Sequence, residues 1–508
     1  MKHLIVSVIL IVIHTFSPSD SANILGVFHY PSYSHHIVFQ KIVQDLSSCG
    51  HHLTILTVYP INKNFPNVTE ICMGGSENES LNFIESKEKK FGILKMLYII
   101  ASSLRKRIEN QLSHPEVKKL IAEAKNLNFD LLILEFLFQT PLIYFSELFN
   151  CPVIAIGTMD VTSSVHELIG NPANPNIHSD IFTPYEDGKM TMIERIKSTT
   201  FYLTTSLIVK IGQFLTKSIV KHHFPNSKLS LNELENRIEF LLVNSSPVFG
   251  CNRPITSNTI LLGNMHIEPP NQLTGDLKNF LDSSINGIIY VSFGSNIKTE
   301  ELSENTLNIF FKVFSKLKYD VLWKFENREI VNKSTNIYTS KWLPQADLLA
   351  HRNIKLFITH CGQHSVEEAI DREVPIVGIP FAVDQFKNAL KVKNEQIGVI
   401  LDFHSLSEEN LNFAIRKAMQ RKYKNKIKNL RKLINDVPMK SREKAIWWIE
   451  YAIRNKGMNR LKYSCAKIPF NKRYMLDIIS IFILTFIFLL KIKNLFKDLT
   501  MNKKIKNQ

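Results

Sequence analysis

At 508 residues the chain is longer than one hydrophobic core usually organises, so two domains of roughly 200 residues each are expected. The formal charge of +16 raises nucleic acid as a partner, but the lysines and arginines gather in two stretches, 416–432 and 491–506, neither of them interleaved with aromatics like a base-stacking surface. Composition and charge therefore argue against a nucleic-acid binder, and the first stretch reads as the solvated face of a basic amphipathic helix.

The chain opens with Met1-Lys2-His3, an apolar run over 4–13, and small and polar residues up to Ala22. That is the build of a secretory signal over 1–22, so mature protein is expected to begin near Asn23. Short β-rich apolar runs then alternate with longer helical patterns, which argues for parallel sheets covered by helices. In the first half, strands are predicted over 24–28, 53–58, 131–134, 153–156 and 240–243, with helices over 35–48, 115–126 and 192–222 between them. The stretch 246–272, rich in Pro, Asn and Gly, reads as a linker. Strands over 287–293, 321–325, 337–339, 354–359, 375–379 and 399–401 then repeat the scheme. The predicted fold class is α/β, with two Rossmann-like domains over 23–245 and 273–455. The second ends in a helix over 441–454, carrying Trp447, Trp448 and Tyr451, that is expected to fold back onto the first.

Near the other end, residues 478–490 are apolar apart from Ser480 and Thr485, and Lys491, Lys493, Lys497, Lys503, Lys504 and Lys506 follow. The pattern predicts a single transmembrane helix over 474–492 and a basic cytoplasmic tail over 493–508. Lys504 and Lys506 are placed as in a dilysine retrieval signal, so the expected location is the endoplasmic reticulum membrane, single-pass type I, with residues 23–473 lumenal. Sequons at Asn67, Asn78, Asn244 and Asn332 are then candidate glycosylation sites. Six cysteines, Cys49, Cys72, Cys151, Cys251, Cys361 and Cys465, form no CxxC pair; they indicate neither a zinc site nor a disulfide-dense scaffold and leave room for one disulfide.

The stretch 354–388 carries the chemistry. A predicted strand delivers His360 to the sheet's carboxyl edge, and Gly362 turns the backbone into a helix through Gln363, His364 and Ser365, whose unpaired N–H groups and dipole suit a diphosphate. Upstream, Trp342 offers an aromatic plane to a nucleobase, and Gln345 both a donor and an acceptor. Trp342-Leu343-Pro344-Gln345, followed by His360-Cys361-Gly362-Gln363-His364-Ser365-Val366-Glu367-Glu368-Ala369 and then Asp384-Gln385, resembles the donor-site signature of the UDP-glycosyltransferases, family 1 of the glycosyltransferases. The resemblance extends to the stretches 171–175, 291–296 and 447–454 and to both ends, and its overall pattern is insect-like.

That resemblance implies two Rossmann-like domains facing across a cleft, the GT-B arrangement, with a UDP-sugar donor and a small lipophilic acceptor. It implies that Trp342 stacks on uracil, that Gln345 and Glu368 hold the ribose, and that Ser295, His360 and Ser365 hold the diphosphate beside Gly362. Asp384 and Gln385 would bind sugar hydroxyls, while Glu367 is expected to be solvated. A neutral imidazole with a pKa of about 6.5 suits removal of a hydroxyl proton. Ser34, His35 and His36 stand at the first strand-to-helix turn, and the family's usual distance to Gly50-His51 selects His35 as the base. Glu135, just past a predicted buried strand, would fix its tautomer, with Asp130 reserved for the strand start.

The implied reaction is an inverting displacement in which UDP leaves toward His360 and the helix N-terminus. No metal ligand cluster and no Asp-x-Asp pair is visible, so neither metal nor cofactor is expected. Glu135 stands where relatives often carry Asp, His364 where they often carry Asn, and Asn264 where a second Gly is frequent. UDP-glucose is the favoured donor. The contrasting expectation is a catalytically silent lumenal protein that holds hydrophobic ligands in the same cleft.

Overall fold

The computed structural model describes residues 21–61, 65–74, 93–137, 140–250, 253–295, 297, 299, 302–325, 334–457, 459–462 and 468–506. Residues 1–20 of the predicted secretory signal, Asn78, Asn332, Cys251 and Cys465 lie outside them.

Two parallel sheets carry the fold. The first is built from β1 (Asn23–Phe28), β2 (His52–Thr57), β3 (Val68–Cys72), β4 (Leu131–Glu135), β5 (Val153–Gly157), β6 (Ile238–Val243) and β7 (Thr259–Leu261), in the order β3-β2-β1-β4-β5-β6-β7. The second contains β8 (Ile288–Ser292), β9 (Asp320–Lys324), β10 (Ile337–Ser340), β11 (Ile354–Thr359), β12 (Ile376–Gly378) and β13 (Gly398–Ile400), in the order β10-β9-β8-β11-β12-β13. Both sheets reverse direction of growth between their first and fourth strands. Parallel sheets open a crevice at such a switch point, beyond the strands' carboxyl ends.

The central strands form because they are continuous apolar runs, as burial on both faces requires. In β1, Leu25 and Val27 enter the core on one face while Ile24 and Phe28 enter the core on the other. The principal helices are α1 (Tyr33–Ser48), α2 (Ile93–Ser113), α3 (Ser163–Ile169), α4 (Met192–His223), α5 (Gln363–Asp371), α6 (Gln385–Asn394), α7 (Arg421–Asn435), α8 (Ser441–Arg454) and α9 (Leu476–Lys506). Helix α8 returns to the first domain as expected, placing Ala445, Ile449 and Ala452 in the same core as Ile24 and Phe39. Arg442 seals that return by pairing with Asp45 and with Glu268. Helix α7 buries Tyr423, Ile427, Leu430 and Ile434 and leaves its basic residues toward water.

Three expectations are corrected. Among the described residues no helix is long and apolar enough to cross a membrane. Helix α9 is present, but its apolar stretch over 478–490 amounts to about 20 Å at 1.5 Å per residue, against a hydrocarbon layer of about 30 Å. The stretch 246–272 is more than a linker, since β7 lies within it and extends the first sheet through parallel pairing with β6. Asn244 is no glycan acceptor in the folded chain: it is fully buried, donating to the Thr158 carbonyl and accepting from the Met265 N–H. Asn67, by contrast, is exposed on a turn. Cys49, Cys72, Cys151 and Cys361 are free thiols, so no disulfide joins described residues.

Ile449 is fully buried under the first sheet. Ile449→Ala should therefore lower stability by about 2–5 kcal/mol, read as a lower urea midpoint; an unchanged midpoint would mean that α8 is not part of that core.

Candidate active site

The first switch point brings two chemically distinct side chains together from positions 100 residues apart. Strand β1 ends at Phe28, and the chain passes through His29 and Tyr30 into α1, whose first turn carries His35. Its neighbour β4 ends at Glu135. His35 Nδ1 lies 2.7 Å from Glu135 Oε1, and Glu135 Oε2 accepts the Tyr30 N–H at 2.9 Å. The carboxylate is 1% exposed. Burial alone would raise its pKa, but the hydrogen bond and charge of His35, with His29 and His36 behind it, hold it below the ordinary carboxylate value. An ionised Glu135 accepts a hydrogen bond from Nδ1–H, which leaves the Nε2 lone pair of His35 as the basic end of the ring.

His36, the other candidate at this turn, is structural. Its Nδ1 is 3.1 Å from Thr57 Oγ1, its Nε2 is 3.2 Å from the Tyr30 carbonyl, and burial pushes its pKa down to about 4. Asp130 fills the expected structural part by accepting the Asn23 N–H. Three further residues complete the dyad's surroundings. The Tyr30 ring stacks on His35, with centroids 5.0 Å apart, and the guanidinium of Arg107 lies 5.5 Å over that same ring. His29 Nδ1 stands 3.8 Å from Glu135 Oε2, and burial lowers its pKa. His29-Tyr30 directly follows a strand at a switch point, which was a signal of its own; Arg107 has none, since it arrives from a helix with no motif.

The second switch point builds an anion cradle. Strand β8 ends ahead of Gly294 and Ser295, and β11 ends at Thr359 ahead of His360. A Cβ on Gly294 would come within 2.7 Å of the His360 imidazole, and a Cβ on Gly362 would overlap it, so glycine at both positions makes room for the ring. Burial, then the charge of Lys324, pushes His360 down to about 3, keeping it neutral. Gly362 caps α5, and the first N–H groups of that helix open toward the cradle. Ser295 is exposed on the loop after β8.

Beside the cradle, Gln345 Nε2 donates to Ser365 Oγ at 3.0 Å and to Glu368 Oε2 at 2.6 Å, while Tyr290 Oη donates to Gln345 Oε1 at 3.2 Å. Trp342 is 55% exposed and meets Tyr33 edge-on across the cleft at 5.1 Å. Lys324 Nζ lies over the indole, 5.7 Å from its centroid, so a planar base would stack on the opposite face. Asp384 caps α6 and accepts from Asn388 Nδ2 at 2.8 Å. Burial raises its carboxyl, opposed by that hydrogen bond and by His35 on the facing domain. Gln385 Oε1 is held by the Phe381 and Ala382 N–H groups at 2.8 and 3.0 Å. Every predicted donor residue thus lines the carboxyl edge of the second sheet.

The positions that depart from the family pattern have local explanations. Asn264 adopts φ +53°, a left-handed backbone that accounts for a frequent Gly there, and Asn tolerates it best after Gly. His364 stacks on His266 at 4.2 Å and donates to the Thr158 carbonyl at 3.1 Å, so it seals the seam between domains. Glu367 corrects an expectation: it is buried, accepts from Gln363 Nε2 at 2.9 Å, and has its pKa pushed up to about 8 by burial.

Two sheets of this order, with a nucleotide cradle on one carboxyl edge and an imidazole–carboxylate pair on the other, define a GT-B glycosyltransferase. Residues 27–507 match the family model described as UDP-glucoronosyl and UDP-glucosyl transferase, and the chain belongs to that family. It is 30% identical to an ecdysteroid UDP-glucosyltransferase of Spodoptera littoralis nuclear polyhedrosis virus over 94% of this chain and 97% of the relative. It is 31% identical to UDP-glycosyltransferase UGT5 of Dactylopius coccus over 93% of this chain and 91% of the relative. Among solved structures, Os79 from O. sativa in complex with U2F and trichothecene matches with a TM-score of 0.59 at 17% identity, covering 84% of this chain and 100% of that one. The chain is a UDP-sugar glycosyltransferase, and nothing in these likenesses supports a silent ligand holder.

Gly362→Ala should displace the His360 ring and weaken UDP binding on the order of tenfold or more, about 1.4 kcal/mol, by titration calorimetry. Wild-type affinity in that variant would show that His360 does not face the diphosphate.

Proposed function

We propose that this enzyme transfers glucose from UDP-glucose to a hydroxyl of a small lipophilic acceptor by a single inverting displacement, with His35 as the base. The observation that carries the proposal is the buried 2.7 Å contact of His35 with Glu135, on the edge that faces Asp384 and the cradle around His360. Glucose is favoured because relatives over most of the chain are named UDP-glucosyltransferases.

In this reading His35 Nε2 takes the acceptor proton as the oxygen attacks the anomeric carbon, and Glu135 stabilises the imidazolium. UDP departs toward neutral His360, Ser295, Ser365 and the α5 N-terminus, whose fixed N–H groups meet the developing charge without a metal. Trp342 takes the uracil, Gln345 and Glu368 the ribose, and Asp384 and Gln385 the sugar. The acceptor lies against Tyr30, beside the dyad. A hydroxysteroid belongs in the test panel, since several relatives are named for ecdysteroids. The signal-like N-terminus supports placing the reaction in the lumen of the endoplasmic reticulum.

The test offers UDP-glucose and UDP-glucuronate to the full chain with a panel of phenols and a hydroxysteroid, and follows UDP release. His35→Ala should lower transfer by about 10²–10⁴-fold with the UDP dissociation constant within about twofold of wild type, while His360→Ala weakens both. Equal loss of UDP affinity in the two variants would overturn this assignment of roles.

A further inference from the structure

Lys387 is a buried charge that the displacement leaves unused. It follows Asp384 and Gln385 within one turn at the start of α6, yet its side chain leaves its own domain. Lys387 Nζ donates to Ser179 Oγ at 2.5 Å, to the Tyr185 carbonyl at 2.7 Å and to Asp187 Oδ1 at 2.6 Å. All three acceptors sit on the first-domain loop between α3 and α4, and they match the three N–H groups of an ammonium. Lys387 is 9% exposed.

The receiving loop is itself fixed. Asp187 Oδ1 also accepts from the Ser179 N–H at 3.0 Å and from Ser179 Oγ at 2.9 Å, and Asp180 Oδ2 accepts the Ser163 N–H at 2.7 Å. Asn171 Oδ1 ties the loop's start to the Thr256 N–H at 2.7 Å. An apolar side chain would hold two domains together with no demand on direction, whereas a buried ammonium is tolerated only where each N–H finds its acceptor. The contact therefore fixes distance and orientation. Because it lies on the turn that carries Asp384 and Gln385, it sets where the sugar-binding edge stands relative to His35.

We propose that Lys387 is a positioning residue, and that its clamp on Asp187 and Ser179 docks the start of α6 against the acceptor domain so that the sugar's reacting carbon stands in line with His35. The consequence for turnover rests on the transfer proposed above; the docking does not.

The test uses the full chain with Lys387→Met, Asp187→Asn and the double variant. Backbone hydrogen exchange over 176–188 and 384–394 should rise on the order of tenfold in each single variant, and the double variant should be no worse than the worse single one. Turnover should fall by about 10²-fold while UDP affinity stays within about twofold, because small misplacements of reacting groups cost rate and the residues assigned to UDP are untouched. Unchanged exchange in both segments would overturn the proposal. So would a loss of UDP affinity as large as the loss of turnover, which marks general damage to the second domain. Raised exchange in the variants together with undiminished turnover in His35→Ala would support the clamp and sink the base.

Discussion

The chemistry of this cleft depends on a carboxylate that the fold buries almost completely. Glu135, 1% exposed at the end of β4, is stabilised in its charged form by the His35 ring and the Tyr30 N–H. Stripped of those partners, a buried carboxylate would become neutral or destabilise the strand that carries it. The same contact sets the tautomer and the direction of His35, so a single hydrogen bond meets a stability requirement and would meet the one that the proposed base imposes. The longer side chain at this position, Glu in place of the more frequent Asp, still closes the contact at 2.7 Å.

In the second domain burial is the dominant influence on the ionisable groups around the cradle. Burial pushes His360 down to about 3 and Glu368 up to about 7. Where burial lowers the local dielectric, the dipole of α5 and the Ser365 hydroxyl would interact with the proposed diphosphate more strongly than they would in water. The two sheets place these environments face to face because each opens a crevice at its own switch point, the first between β1 and β4 and the second between β8 and β11.

Much of this was legible in the sequence, for identifiable reasons. Central parallel strands read as unbroken apolar runs, so β1, β4, β5 and β8 to β13 were predictable, as was the return of α8. The strands that escaped notice, β3 and β7, are the two edges of the first sheet: Val68–Cys72 is largely exposed, and Thr259–Leu261 has only three residues. The residues proposed to hold the donor, Ser295 apart, were legible because they follow a strand-turn-helix grammar within 342–385. His35 and Glu135 needed the family resemblance, since nothing local links positions 100 apart. Lys387, Glu367, His266 and Arg107 were illegible because burial or pairing reaches them from other elements, three of them at the domain seam. The apolar tail misled because composition was right while length was not.

The central claim is a single displacement at the anomeric carbon, with no glycosyl intermediate on the protein. The most direct test is the anomeric configuration of the product, read from the proton coupling of its sugar by nuclear magnetic resonance before any mutarotation. The account predicts a β-glucoside alone from the α-linked donor. A product that retains the α configuration would contradict it, because retention requires either a second displacement or attack from the face that UDP leaves.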